Sequence, residues 1–265
     1  MQIFEWALFP KWEEYLRFLA TNLAADEEWE YSNKQKEIDE GNNSARFAYP
    51  ILASYLEYTF QKLSSDEKIE FANDKQVACF NTGLLTSNLE EIFALFTENR
   101  SYNKQSPYFF KAFVKESDRE FLTHFSNNIP ESANYFSEPE KLIFNPRWNV
   151  KTDIDHIIRD SKQRFPAPLN NASDREVRKN LVGALDEIIK RVKANYKLAI
   201  PQYYNGKIQL LLPLCLLDEN VADLALVVDR VTDSNTYIIG TCLTTGMAYN
   251  NARLIVRPQK EWLKP

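Results

Sequence analysis

His156 stands in the segment Asp153-Ile-Asp-His-Ile-Ile-Arg-Asp-Ser-Lys-Gln-Arg-Phe-Pro166. On a helix, His156, Arg159, Asp160, Gln163 and Arg164 fall at i, i+3, i+4, i+7 and i+8, one continuous side. An imidazole is the side chain suited to moving protons around neutral pH, and a guanidinium forks two hydrogen bonds to a phosphate. The same spacing also describes a solvated helix surface laced with ion pairs.

A second group lies in Asn195-Tyr-Lys-Leu-Ala-Ile-Pro-Gln-Tyr-Tyr204. Lys197 sits where a helix hands over to a strand, Gln202 and Tyr204 alternate along that strand, and Gln209 follows on the return strand. A buried amide left without a partner costs about 1–3 kcal/mol, so a glutamine within an apolar run must bond something. Either the protein itself or a ligand supplies the partner. A third group follows the apolar run Tyr237–Leu243: if Thr245 caps a short helix, Asn250, Arg253 and Arg257 recur along it at spacings of three and four. These residues either close the open end of a sheet or hold a phosphate on Arg253 while an asparagine reads a base.

The expectation drawn from these groups is one cationic cleft at a sheet edge. His156 and Lys197 are the candidate catalytic pair, with Arg159, Arg164, Gln202, Gln209, Asn250 and Arg253 binding the ligand. Such a cleft suits a nucleotide or an RNA end held by side chains instead of a glycine-rich loop. The chemistry it would support is metal-independent phosphoryl or phosphodiester transfer. The other reading is a non-catalytic interaction module whose polar groups are structural plugs and whose aromatic helices dock a partner. Phosphate-loop, dinucleotide-binding, nucleophile-elbow and zinc-protease motifs are all missing, and no cofactor is specified. Three cysteines and two histidines at these separations supply neither a disulfide framework nor a metal set.

Charge is distributed unevenly. Residues 1–75 carry 8 basic and 15 acidic side chains, whereas residues 147–197 carry 12 basic and 7 acidic, so an anionic ligand would be drawn to the second stretch. No apolar run is long enough to span a bilayer, and the N-terminus lacks the basic region of a signal peptide, so a soluble, cytoplasmic protein is expected.

The elements that must position these residues form an α+β pattern. Pro10 and Pro50 mark the starts of two aromatic-rich helices, and residues 26–46 are acidic, with an exposed loop at Gly41–Ser44. Residues 68–72, 77–85 and 91–96 read as an antiparallel meander, and the Asn-Thr-Gly within the second of these marks a bulge or a close backbone approach. Residues 100–150 read as loop-rich with short helical pieces, and 151–164 as a helix. Ser173-Asp-Arg-Glu176 has capping-box spacing and opens a long helix. Asn205-Gly206 turns a hairpin, Leu210–Leu217 is apolar enough to be covered on both faces, and 224–228 and 237–243 add strands. No internal repeat is visible. One domain is expected: a helical layer over 1–65, a meander with loops over 66–150, and a helix-plus-sheet core over 151–265.

Five segments together carry a family resemblance: Phe80-Asn-Thr-Gly-Leu84; Asp155-His156 with Arg164-Phe-Pro166; Asn195 to Tyr204; Gln209-Leu-Leu-Leu-Pro-Leu214; and Met247-Ala-Tyr-Asn-Asn-Ala-Arg-Leu254. From Trp12 to Trp262 the chain resembles an uncharacterised bacterial family catalogued as a domain of unknown function. Members often follow an OST-HTH or cold-shock-type RNA-binding module. The resemblance implies a role near RNA by association and transfers no catalytic residue.

Overall fold

Two start signals read from the sequence, Pro50 and Ser173, coincide with helix starts. Pro50 is the first residue of the helix Pro50–Ser65, a position where a missing N–H costs nothing. Ser173 accepts a bond from Glu176 N at 3.3 Å and opens the helix Asp174–Ala194. Asp153 does the same for His156 N at 3.0 Å. The cap of the last helix is Thr244, one residue earlier than expected, accepting from Met247 N at 3.3 Å. The computed structural model describes residues 1–31, 48–100, 106–258 and 262–263; the loop expected at Gly41–Ser44 lies outside them.

The chain forms two compact units, Met1–Glu30 with Ala45–Asn134, and Tyr31–Ser44 with Tyr135–Pro265. The first contains α1 (Ile3–Trp6), β1 (Ala7–Leu8), α2 (Trp12–Phe18), α3 (Pro50–Ser65), β2 (Glu70–Ala72), β3 (Val77–Leu85), β4 (Glu91–Glu98), β5 (Tyr108–Lys115) and α4 (Arg119–Phe125). The second contains β6 (Asn149–Thr152), α5 (Ile154–Ser161), α6 (Asp174–Ala194), β7 (Ile200–Tyr204), β8 (Lys207–Leu214), β9 (Leu224–Val231), β10 (Thr236–Leu243) and α7 (Thr245–Arg253). The α+β class follows.

Both units are built on one plan. Their strand orders are β1-β5-β4-β3-β2 and β6-β10-β9-β8-β7. In each, the last four strands form an antiparallel meander whose final strand pairs in parallel with the first. Among the described residues, helices lie in the crossover between first and second strands, and one helix follows the meander. The repeat is one of topology, which explains why residue-by-residue inspection does not find it.

The layering repeats as well. In the first unit, Phe60 of α3 meets Phe80 and Trp6 of α1 meets Phe96, so α1 and the crossover helix α3 cover one sheet face with aromatic rings. On the opposite face, Val77, Cys79, Phe93, Leu95 and Val114 pack against Phe121 and Phe125 of α4. In the second unit, Leu210, Leu212, Leu224, Leu226, Val228, Tyr237 and Ile239 pack against Ile157 and Ile158 of α5 and the apolar stripe Val177, Leu181, Leu185, Ile188 and Val192 of α6. Removing such side chains from water, at about 25 cal/mol per Å² of apolar surface, is the main driving force for both layers.

Two strands differ from the sequence reading. Residues 149–152 form β6 and only then does the helix begin, and residues 108–115, read within a loop-rich stretch, form β5 in the interior of the first sheet. The hairpin turn is as expected, with Asn205 at φ 47° and Gly206 at φ 79°, the left-handed pair that matches strand twist. The Asn-Thr-Gly segment is a bulge: pairing of β3 with β4 shifts register between Asn81 and Leu84. Asn81 donates to Pro130 O at 3.1 Å, and its Oδ1 accepts from Gly83 N at 2.9 Å. Gly83 has φ +72°, and a Cβ there would lie 2.6 Å from Tyr55 Oη. Gly83→Ala should therefore lower stability by about 2–4 kcal/mol, combining left-handed strain with overpacking. Urea titration checks this, and Tyr55→Phe in the same chain should recover part of the loss.

Candidate functional site

Strand alternation gives the second sheet a polar row. Gln202 is paired with Gln209, Leu210 with Val228, and Ile238 with both Asp229 and Lys151. Leu210, Val228, Tyr237 and Val150 belong to the face under α5 and α6. Gln202, Gln209, Asp229, Ile238 and Lys151, one residue out of phase with them, line the other face. Helix α7 covers part of that face, burying Ala248, Tyr249 and Ala252 and bringing Asn251 to the row.

The row is bonded end to end. Asn251 Nδ2 donates to Gln202 Oε1 at 3.1 Å, Gln202 Nε2 to Gln209 Oε1 at 2.9 Å, and Gln209 Nε2 to Asp229 Oδ1 at 2.8 Å. The carboxylate settles every orientation. It can only accept, so Gln209 must turn its NH₂ toward it; the oxygen of Gln209 then faces Gln202, and so on back to Asn251. Exposure rises along the row, from Gln202 at 1% through half-buried Gln209 to exposed Asp229. Beside Asp229 stand Ile238, 40% exposed, and then exposed Lys151; Lys207 and Tyr204 are exposed on the adjoining hairpin.

Of the residues expected to line one cleft, Gln202 and Gln209 meet directly. The others do not join them. His156 and Arg159 lie on α5, over the opposite sheet face. The His156 ring contacts Arg159 Nη2, His156 Nε2 lies 3.3 Å from Asp160 Oδ2, and Arg159 Nε donates to Asp160 Oδ1 at 2.9 Å. Asp160 thus serves both basic residues, the ion-paired surface that the spacing also allowed. Arg164 Nη1 donates to Cys242 O at 2.8 Å, while Ser161 Oγ accepts from Cys242 N at 3.4 Å. Pairing of β10 with β6 stops at Ile239, so these two side chains satisfy an otherwise bare strand edge. The neighbouring Cys242 thiol is pushed up to about 11 by burial, which makes it a packing group and not a nucleophile.

Lys197 is exposed on the turn Tyr196–Leu198 that leads into β7, and its backbone N–H is held by Asn195 Oδ1 at 3.2 Å. His156 rests against Gly240 of β10, where a Cβ would lie 3.5 Å from its ring. From β10 to β7 is three strand spacings, roughly 14 Å. The two candidate catalytic residues are therefore not a pair. Asn250 Nδ2 donates to Tyr31 Oη at 2.6 Å, so it faces away from the row that its neighbour Asn251 joins, and Arg253 is buried in the last turn of α7.

Neither Asn251 nor Asp229 was among the site residues expected from the sequence. The signal for Asp229 was its position one step past Leu224-Ala-Leu-Val-Val228, where alternation returns to the face of Gln209. Among the described residues, no group of three or more His, Cys, Asp or Glu side chains could hold a metal ion, and no helix is long and apolar enough to cross a membrane.

Two α+β units of one topology, the second with a half-open polar sheet face, define the class structurally. Residues 20–262 match the family described as Domain of unknown function (DUF3825), and the chain belongs to it. No curated protein and no solved structure matches the chain.

The row has a stability signature distinct from that of the α5 surface. Gln202→Ala should cost about 1–3 kcal/mol, because Gln209 Oε1 and Asn251 Nδ2 lose their partner in a partly buried setting. His156→Ala should stay within about 0.5 kcal/mol. Chemical denaturation of both variants beside the parent protein measures the difference.

Proposed function

We propose that the second unit binds a nucleotide or single-stranded RNA on its half-open sheet face. The supporting observation is the contrast between the two units. In the first, the face under the closing helix is filled by Val77, Cys79, Phe93 and Leu95, so the topology can be completed with carbon alone. In the second, the equivalent face carries a bonded row of amides ending in an exposed carboxylate. A row that the fold does not require, and that reaches solvent, suits recognition of a polar planar ligand.

The surroundings fit the same ligand. Lys151 and Lys207 flank the row, and among the described residues no acid lies within ion-pairing distance of either, leaving both ammonium groups for phosphates. Exposed Tyr204 offers a ring on which a base can stack. The RNA-binding modules that precede related domains support an RNA ligand, and a bacterial, cytoplasmic setting belongs to the same proposal. Turnover does not, since His156 and Lys197 lie at separate edges of the sheet; the proposed role is binding.

Fluorescence anisotropy with labelled single-stranded heptaribonucleotides tests this. Binding should be saturable and should weaken with salt, with a log–log slope of about −1.4 if two lysines each displace one counterion from a single strand. In Lys151→Ala/Lys207→Ala the slope should fall toward zero at unchanged melting temperature. Absence of saturable binding to RNA and to mononucleotides by the folded protein would overturn the proposal.

A further inference from the structure

Resting on the RNA-binding reading, we infer that the site selects guanine, through the carboxylate of Asp229. The argument starts from the direction of the hydrogen-bonded row. Each amide spends its NH₂ toward Asp229: Asn251 on Gln202, Gln202 on Gln209, Gln209 on Asp229 Oδ1. The group that ends the row in solvent is therefore a carboxylate, which offers acceptors only: Asp229 Oδ2 and the remaining lone pair of Oδ1. A ligand that meets it must bring donors.

Nucleobases differ sharply in this respect. Guanine presents two adjacent donors, N1–H and N2–H₂, on its Watson–Crick edge, spaced to match the two oxygens of a carboxylate. Adenine sets its N6 donor beside the N1 acceptor, cytosine sets its N4 donor beside N3, and uracil has one N3–H between two carbonyls. Each of these would bring an acceptor against a carboxylate oxygen, so only guanine can pair with Asp229 bidentately. Because Gln209 holds Oδ1, the carboxylate is oriented before the base arrives, and little rotamer freedom is lost on binding.

The cross-strand register supplies the rest of a nucleotide site. Asp229, Ile238 and Lys151 stand in one row on neighbouring strands β9, β10 and β6. At about 4.8 Å per strand, the row places an acceptor, an apolar seat and a cation over roughly 10 Å. A guanosine 5′-phosphate lying across it would put its donor edge at Asp229, its ring over Ile238 and its phosphate toward Lys151. Ile238 at 40% exposure is an apolar side chain left in the open between two charges, as such a seat requires.

The test compares uridine heptamers carrying one central guanosine, inosine or adenosine. Inosine keeps N1–H and loses the N2 amino group, so it reports the second donor alone. The guanosine oligomer should bind about ten-fold or more tighter than the adenosine oligomer, with inosine between them, in line with the discrimination of a good bidentate contact. Asp229→Asn keeps an oxygen for Gln209 and should fold with an unchanged melting temperature, yet bring the three affinities within about two-fold. Equal affinity for the three oligomers, or a guanosine preference that survives Asp229→Asn, would overturn the inference while leaving RNA binding intact. Failure to bind any of the three would sink the RNA-binding reading itself.

Discussion

Pairing the first strand of each unit in parallel with the last is the constraint from which the architecture follows. Antiparallel neighbours need only a tight turn, but a parallel neighbour must be reached by a crossover. Here the crossover is helical and lies on one sheet face: α3 in the first unit, α5 and α6 in the second. The helix that follows the meander is left with the other face. Two unlike faces result, one sealed by long amphipathic helices and one covered by the seven residues of α4 or the nine of α7.

The second face is where the two units part ways. Under α4 the stacked rings of Phe93 and Phe121, with centroids 4.1 Å apart, close the sheet with apolar contacts. Under α7 a fully buried glutamine is tolerated because its carbonyl and its amino group both have partners. Removing one member strands the next, whereas keeping all of them fixes the orientation of each side chain in the strip. Order of this kind is the precondition for reading a ligand by hydrogen bonds and not by charge alone.

Much of this was legible in the residues. The capping signal at Ser173, proline at Pro50, and the Asn205-Gly206 turn are local effects, and each acts where the sequence says it should. The pairing of Gln202 with Gln209 was also within reach, since a two-residue turn fixes the register of its hairpin. What escaped is non-local. Tyr108–Lys115 interleaves aromatic residues with Lys111 and Ala112 and reads ambiguously until a partner strand exists. Asn149–Thr152 is a short edge strand whose pairing depends on β10, nearly ninety positions later. The single cleft drawn from helix spacing failed for a related reason: spacing along α5 shows which residues share a side, but not which face of a sheet that side overlooks.

The coverage of Cys242 bears on how the protein behaves in a crowd. Beyond Ile239 the outer rim of β10 has no neighbouring strand among the described residues, and a bare rim is a template on which another chain can dock. Arg164 and Ser161 occupy the peptide groups of Cys242 there, so an incoming chain finds that rung taken. A guanidinium placed in this way closes that rung to edge-to-edge pairing, which bears on association between chains more than on how firmly each one folds.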